Sequence, residues 1–174
     1  SNVFIYNAIC IISDGVNTKI GTVFTPYEYY YPWRKITGEE NLETDGINSL
    51  YTLINGLLNQ TRIREVLKNF IFFPDTSNNE SKFICRYPQF FATQKIFKNI
   101  LKELKPVGSG KGGTYFGATG CGKSFIMLFL TRLLMKSDEL KNPTIVLITD
   151  RIDLDDQLSE QFTNAKEFIG DAEI

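Results

Sequence analysis

Gly117-Ala118-Thr119-Gly120-Cys121-Gly122-Lys123-Ser124 is the stretch that decides how this chain is read. It matches the phosphate-loop pattern G-x-x-x-x-G-K-[ST] at every fixed position. In such a loop, consecutive backbone N–H groups curl around a phosphate. Glycines let the backbone approach closely and take up positive φ. The helix that follows turns its partly positive N-terminus toward the same anion. On this pattern Lys123 reaches the β/γ-phosphates and Ser124 places a hydroxyl on Mg²⁺. The alternative is a Gly-rich turn that happens to precede a lysine.

The flanks favour the phosphate loop. Gly113-Thr114-Tyr115-Phe116 reads as a short strand entering it, and Ser124 to Leu134 as a buried helix leaving it. Upstream, Pro88 to Leu104 carries apolar residues at helical spacing. Downstream, Thr144-Ile145-Val146-Leu147-Ile148 reads as a parallel strand buried on both faces, and 150–162 as a further helix. The order α-β-α-β-α predicts an α/β fold with a parallel sheet. Two strands are too few for a stable sheet of this type, so the sheet is expected to be incomplete.

The first part of the chain reads differently. Val3 to Ile12 and Lys19 to Thr25 form two β-prone runs around Ser13-Asp14-Gly15, a β-hairpin signal. Tyr27, Tyr29, Tyr30, Tyr31 and Trp33 form an aromatic cluster, read as a packing patch rather than a base-stacking surface. Residues 37–46 are polar and acidic, as in a linker. Ile47, Leu50, Tyr51, Ile54, Leu57 and Leu58 predict the apolar face of a helix. Gly56 inside it costs about 1 kcal/mol relative to alanine. Thr61 is the expected N-cap of a second helix. The organisation predicted is a hairpin over 1–36, a helical connector over 37–85, and a nucleotide-binding unit over 86–174. Ser1-Asn2 without methionine reads as a cleavage scar on an internal fragment, or as a processed N-terminus.

Composition narrows the chemistry. The 174 residues contain no histidine, which removes Ser-His-Asp and Cys-His triads and most imidazole zinc sites. Cys10, Cys85 and Cys121 are odd in number and widely spaced, so neither a disulfide framework nor a Cys-x-x-Cys zinc site is indicated. A net charge of -1 gives no prior for nucleic acid. No apolar run is long enough to cross a membrane, and a cytoplasmic location is expected.

A magnesium carboxylate is harder to find. Phosphate-loop enzymes hold the ion through the loop Ser/Thr and an acid at another strand end. Asp150 occupies such a position, as in compact nucleotide kinases. Asp153, Asp155 and Asp156 read as capping and solvating the first turns of a helix. Glu103-Leu104-Lys105 and Glu139-Leu140-Lys141 match the E-x-K of metal nucleases but fall on helix ends or loops, and are discounted.

Three segments in order resemble one family. They are Arg86-Tyr87-Pro88-Gln89-Phe90-Phe91-Ala92, the loop Gly117–Ser124, and the run from Thr144 through Thr149-Asp150-Arg151-Ile152-Asp153-Leu154-Asp155-Asp156-Gln157-Leu158. Together they are similar to the motor (R) subunit of type I restriction-modification enzymes. Ile12-Ser13-Asp14-Gly15-Val16-Asn17, Gly21-Thr22 and Pro32-Trp33-Arg34 resemble the part of that subunit just after its nuclease site. The resemblance implies a superfamily 2 helicase-like motor whose first lobe is an incomplete RecA-like P-loop sheet. It implies ATP and Mg²⁺ as cofactors, double-stranded DNA as the pulled substrate, and modification and specificity subunits as partners. It implies that 1–36 trail an upstream PD-(D/E)xK nuclease domain, and that the parent is an ATP-dependent type I site-specific deoxyribonuclease. On this resemblance Gln89 reads adenine, Gly117, Ala118, Thr119, Gly120, Cys121 and Gly122 cradle phosphate, and Lys123 and Ser124 are catalytic, with Ser124 on the metal. Thr149, Asp150 and Arg151 face the DNA backbone. The DExH-type acid and the second lobe are not found in the sequence, so the fragment alone is expected to be inactive. A small P-loop kinase and a non-catalytic nucleotide-binding module remain as alternatives.

Overall fold

The computed structural model describes residues 6–75, 81–150 and 152–170. They form two compact units, Ser1–Phe90 and Phe91–Ile174.

The first unit begins with a hairpin. β1 (Cys10–Ser13) pairs antiparallel with β2 (Thr18–Gly21), Cys10 opposite Gly21 and Ser13 opposite Thr18. Both strands are shorter than the β-prone runs that predicted them. Beyond Gly21 the backbone turns: the Thr22 N–H and hydroxyl both engage the Thr25 hydroxyl, at 3.0 and 2.8 Å. The connecting turn is built by Asp14. Its carboxylate accepts from the backbone N–H of Val16 (2.9 Å) and Asn17 (2.6 Å) and from the Asn17 side chain. These bonds, the Asn17 backbone first, hold its carboxyl down at about 2. Gly15 at φ 89° completes the turn.

The aromatic cluster packs, for the most part, as expected. Tyr31 exchanges two backbone hydrogen bonds with Ile20. Tyr30 lies over Gly21, where a Cβ would stand 2.9 Å from its ring. Trp33 is buried against Tyr87 and Phe90, with ring centroids 6.3 and 5.9 Å away. Tyr27 and Tyr29 stay exposed.

α1 (Ser49–Gly56) follows a 3₁₀ turn at Gly46–Asn48. Of the face predicted, Leu57 is buried and Leu58 half-buried, but the helix itself buries mainly its other side. Ser49, Thr52, Leu53 and Gly56 point inward, whereas Ile47 (79% exposed), Tyr51 (62%) and Ile54 are open. Two local fits outweigh the apolar stripe. The Ser49 hydroxyl donates to the Val16 carbonyl at 2.7 Å and lies 3.0 Å from the Thr18 hydroxyl. Gly56 lets the Trp33 ring lie directly against the helix backbone. α2 (Gln60–Asn69) is capped by Asn59, whose side chain accepts from the Thr61 N–H; Thr61 is therefore inside the helix and not its cap.

After α2 comes a two-residue ladder that the sequence reading missed: β3 (Ile71–Phe72) antiparallel to β4 (Phe83–Ile84). The residues between them are largely polar and hide it. Phe70 meets Phe90 at 4.9 Å, joining these strands to the start of α3 (Tyr87–Lys102).

The second unit is helical among the described residues: most of α3, then α4 (Lys123–Met135), α5 (Ile152–Thr163) and α6 (Lys166–Ile169). α4 buries Ile126, Leu128, Phe129 and Leu133, and Phe129 meets Phe168 of α6 edge-on at 6.1 Å. Arg132 lies over the Phe168 ring at 4.2 Å and donates to the Phe168 carbonyl.

The helices around the phosphate-loop motif are therefore where the sequence placed them. The parallel sheet is not among the described ladders, which are both small and antiparallel. Residues 113–116 and 144–148 pair with nothing in the described chain, and Phe116 (93%), Val146 (73%) and Ile148 (87%) face solvent. β-propensity records how well a side chain fits a pleated, covered surface. A strand buried on both faces also needs neighbours about 4.8 Å away to accept its N–H and C=O groups. The described residues of this unit supply neither. The protein is thus a mixed α/β chain.

Candidate functional site

The predicted site residues described by the structure fall near the N-termini of three helices: Gln89 at α3, the loop 117–124 at α4, and Thr149 and Asp150 ahead of α5. The loop 117–124 leads into α4. Gly120 at φ 80° and Gly122 at φ 79° take left-handed conformations that a β-carbon would strain. Gly122 is the N-cap of α4 and offers no side chain to the first-turn N–H groups. The Phe125 N–H turns back to the Gly122 carbonyl at 3.1 Å; those of Lys123 and Ser124 have no acceptor within the helix, and the helix dipole lies behind them. Gly117 is required for a different reason: a Cβ there would stand 2.8 Å from Cys121 Sγ and 3.0 Å from the Tyr115 ring. Burial, followed by the adjoining Cys121, raises the Tyr115 phenol above its usual value.

Lys123 is exposed, and its ammonium donates to the carbonyls of Gly117 (2.9 Å) and Ala118 (3.0 Å). The loop is thus closed across its mouth by its own lysine. Ala118 also accepts from the Cys121 N–H at 3.2 Å. Thr119 and Gly120 are exposed, and Ser124 is half-buried in the first turn of α4. An uncapped helix end, two left-handed glycines and one cation suit a phosphate. Such a group would displace the lysine from the carbonyls and take up the turn N–H groups. Ser124 is the residue placed to add a hydroxyl to a phosphate-bound Mg²⁺. No group of three or more Cys, Asp or Glu able to hold a metal on its own occurs among the described residues.

Gln89 sits near the N-terminus of α3. It is 5% exposed, and its Oε1 accepts from the Arg86 backbone N–H at 2.8 Å. Arg86 precedes α3 and its carbonyl accepts the first helical bond, from Phe90 N–H at 3.0 Å. Gln89, at the third helical position, therefore closes half of a capping box. This role was legible as the spacing Arg86-x-x-Gln89 but was not assigned. A carboxamide has one further lone pair and two donors beyond this bond.

Thr149 is half-buried, with its hydroxyl 3.5 Å from Asp155 at the limit of hydrogen bonding, and Asp150 is exposed. Arg151 lies outside the described residues. Asp155 and Asp156 are exposed in the first turns of α5, as a solvated cluster would be; the side chain of Asp153 also lies outside the description. The two E-x-K acids serve turns: Glu103 accepts from the Ser109 N–H at 3.1 Å, and Glu139 from the Ser137 hydroxyl at 2.7 Å. Neither lies on a strand.

Cys85 is fully buried, and burial drives its thiol upward, whereas Cys10 and Cys121 are half-buried. Among the described residues no helix is long and apolar enough to cross a membrane.

Residues 88–173 match the SWI2/SNF2 ATPase family. The chain is 33% identical to the type I restriction enzyme HindI endonuclease subunit of Haemophilus influenzae, over 97% of this chain and 16% of that protein. It is 27% identical to the putative type I restriction enzyme MjaIXP endonuclease subunit of Methanocaldococcus jannaschii, over 91% of this chain and 16% of that protein. A Staphylococcus saprophyticus type I endonuclease subunit, SsaAORF53P, is 22% identical over 93% of the chain. The chain thus spans 16% of the length of these curated relatives.

Proposed function

The chain belongs, over the segment it shares with them, to the type I restriction enzyme endonuclease subunits, and from that premise we propose that it is part of an ATP-driven motor that pulls double-stranded DNA before cleavage. The observation that carries this reading is the open N-terminus of α4. Gly122 caps it without a side chain, two glycines hold left-handed φ, and Lys123 is poised over the loop. In this reading Gly117, Ala118, Thr119, Gly120, Cys121 and Gly122 wrap the β/γ-phosphates of ATP. Lys123 moves from the Gly117 and Ala118 carbonyls to the phosphates, and Ser124 holds Mg²⁺. The ion, when bound, neutralises phosphate charge. Gln89 reads the adenine edge.

The finer architecture belongs to the same proposal. Residues 113–116 and 144–148 become strands of a RecA-like parallel sheet where neighbours cover them; their exposed Phe116, Val146 and Ile148 support this. Residues 1–36 trail an upstream nuclease domain, 37–85 connect, and 86–174 begin the ATPase lobe. Thr149, Asp150 and Arg151 contact the DNA backbone, where a phosphate-binding arginine would position rather than specify. Modification and specificity subunits are the expected partners, in the cytoplasm. The 174 residues alone bind nucleotide weakly, without appreciable turnover or DNA cleavage.

Calorimetry with Mg-ATP tests the loop. Binding to the wild-type chain that is lost in Lys123→Ala supports it; equal affinity in both means that the loop is only a turn. Phosphate release by the isolated chain well above a Lys123→Ala control would favour a self-sufficient P-loop kinase, with Asp150 as its magnesium acid.

A further inference from the structure

The acidic segment 37–46, which the sequence presents as a linker, is tied to the helix that carries Gln89. Tyr87 is the first residue of α3, two positions before Gln89. Its ring lies against Tyr31 (5.9 Å) and Trp33 (6.3 Å), and its phenol donates to Glu43 Oε1. The other Glu43 oxygen is 3.4 Å from Arg34, which also pairs with Asp45 at 2.8 Å. The Thr44 N–H donates to the Arg34 carbonyl at 2.9 Å, so the segment folds back on its own root and presents the Glu43 carboxylate from a fixed place. Burial, reinforced by Glu43, raises the Tyr87 phenol and keeps it a donor. On the same turn, Arg86 lies over the Tyr31 ring at 4.6 Å, and its backbone N–H holds Gln89 Oε1.

We propose that Tyr87 and Glu43 are positioning residues for base recognition: their hydrogen bond fixes the first turn of α3, and with it the direction in which the Gln89 carboxamide meets a purine edge. This rests on the reading of Gln89 as the adenine contact. With one Oε1 lone pair committed to Arg86, the remaining lone pair and the amide donors point where the first turn aims them. Hydrogen bonds weaken steeply as their angle departs from linear. A small rotation of that turn therefore costs base selectivity without altering the phosphate site.

The test measures dissociation constants for ATP, GTP and inorganic tripolyphosphate in the full-length protein, for wild type, Gln89→Ala, Tyr87→Phe and Glu43→Ala. Tyr87→Phe keeps the ring contacts with Tyr31 and Trp33 and removes only the hydroxyl. Expected for both Tyr87→Phe and Glu43→Ala is a rise of about threefold to tenfold in the constant for ATP. The preference for ATP over GTP should shrink in step, and tripolyphosphate affinity should stay unchanged. If Gln89→Ala abolishes the ATP preference while Tyr87→Phe and Glu43→Ala retain it, the positioning role is overturned and Gln89 stands. If Gln89→Ala leaves the preference intact, the adenine reading itself falls, and this inference with it. Equal loss of tripolyphosphate binding in Tyr87→Phe would reduce the pair to general stability and overturn the proposal.

Discussion

The starts of α3 and α4 differ in one respect. α3 begins with side-chain contacts at its first turn: Gln89 accepts from the Arg86 N–H, Tyr87 donates to Glu43, and Arg86 covers Tyr31. α4 begins with a glycine that caps nothing, and its loop is held by backbone turns and one lysine. The same four orphan N–H groups open every α-helix. At α3 a side chain meets one of them, the Arg86 N–H; at α4 no side chain does, and the Phe125 N–H turns back to the Gly122 carbonyl. This contrast is why the phosphate site is proposed at α4 and the aligning contacts at α3.

The contrast breaks most sharply at Lys123. Removing its charge-assisted hydrogen bonds, worth about 1.5–3 kcal/mol each, should weaken Mg-ATP binding by at least about tenfold. The fold should persist, because Lys123 is exposed and bonds only to loop carbonyls. Calorimetry paired with a urea melt checks both halves.

Gly56→Ala probes the pinned unit. Helix propensity alone says that alanine gains about 1 kcal/mol. The structure says otherwise, because a Cβ would stand 2.7 Å from both the Lys35 carbonyl and Trp33 Nε1. Overpacking of about 1–3 kcal/mol should win, lowering the urea midpoint. A raised midpoint would show that α1 can move away from Trp33.

Gln89→Ala should cost about 0.5–2 kcal/mol in stability by uncapping α3, besides removing any preference for ATP over GTP. Capping and base reading separate in Gln89→Glu: the carboxylate can still accept from Arg86 N–H but offers no amide donor. Its stability should stay near wild type while base preference is lost.

Cys121 sharpens the contrast by chemistry. It sits half-buried in the loop, while Cys85 is fully buried. Timed alkylation with peptide mass spectrometry should label Cys121 and spare Cys85, and saturating Mg-ATP should slow the Cys121 reaction. Unchanged labelling under nucleotide would mean that the loop does not wrap the phosphates.

The smallest effect is electrostatic. Burial pushes Glu40 upward, but hydrogen bonds from the backbone of Thr37, of Glu40 itself and of Ile36, and from the Thr37 side chain, outweigh it and hold its carboxyl at about 2. A carboxyl lowered on folding stabilises the fold above its unfolded value, about 4.3. That contribution is lost as pH falls toward 2. The wild type should therefore lose stability across this window more steeply than Glu40→Gln, by an amount that solvent exposure keeps small. Parallel acid melts of the two proteins measure it.

The helices of the ATPase segment were legible because their signals are local. Apolar spacing marked α3 and α4, and the glycine-rich loop pointed to the positive φ found at Gly120 and Gly122. The hairpin was legible from the polar turn at Asp14 and Gly15. The ladder at Ile71–Phe72 and Phe83–Ile84 was not, because two-residue strands leave no period to read. The buried face of α1 was also hidden. Of its apolar stripe Leu57 is buried but Ile47, Tyr51 and Ile54 are open, since the Ser49 bond to Val16 and the fit of Trp33 on Gly56 join residues far apart in the chain.

By itself the sequence determined the kinship, the phosphate-loop motif and the helix that follows it. Each depends on residue identity at fixed spacing, which backbone stereochemistry turns directly into local shape. Only the tertiary structure decided that Gln89 caps α3, that Tyr87 reaches Glu43, and that Lys123 lies across its own loop. It also decided that 113–116 and 144–148 stand without sheet partners among the described residues. Those outcomes depend on which groups meet across space, and a hydrogen bond or a ladder exists only when both sides of it are present.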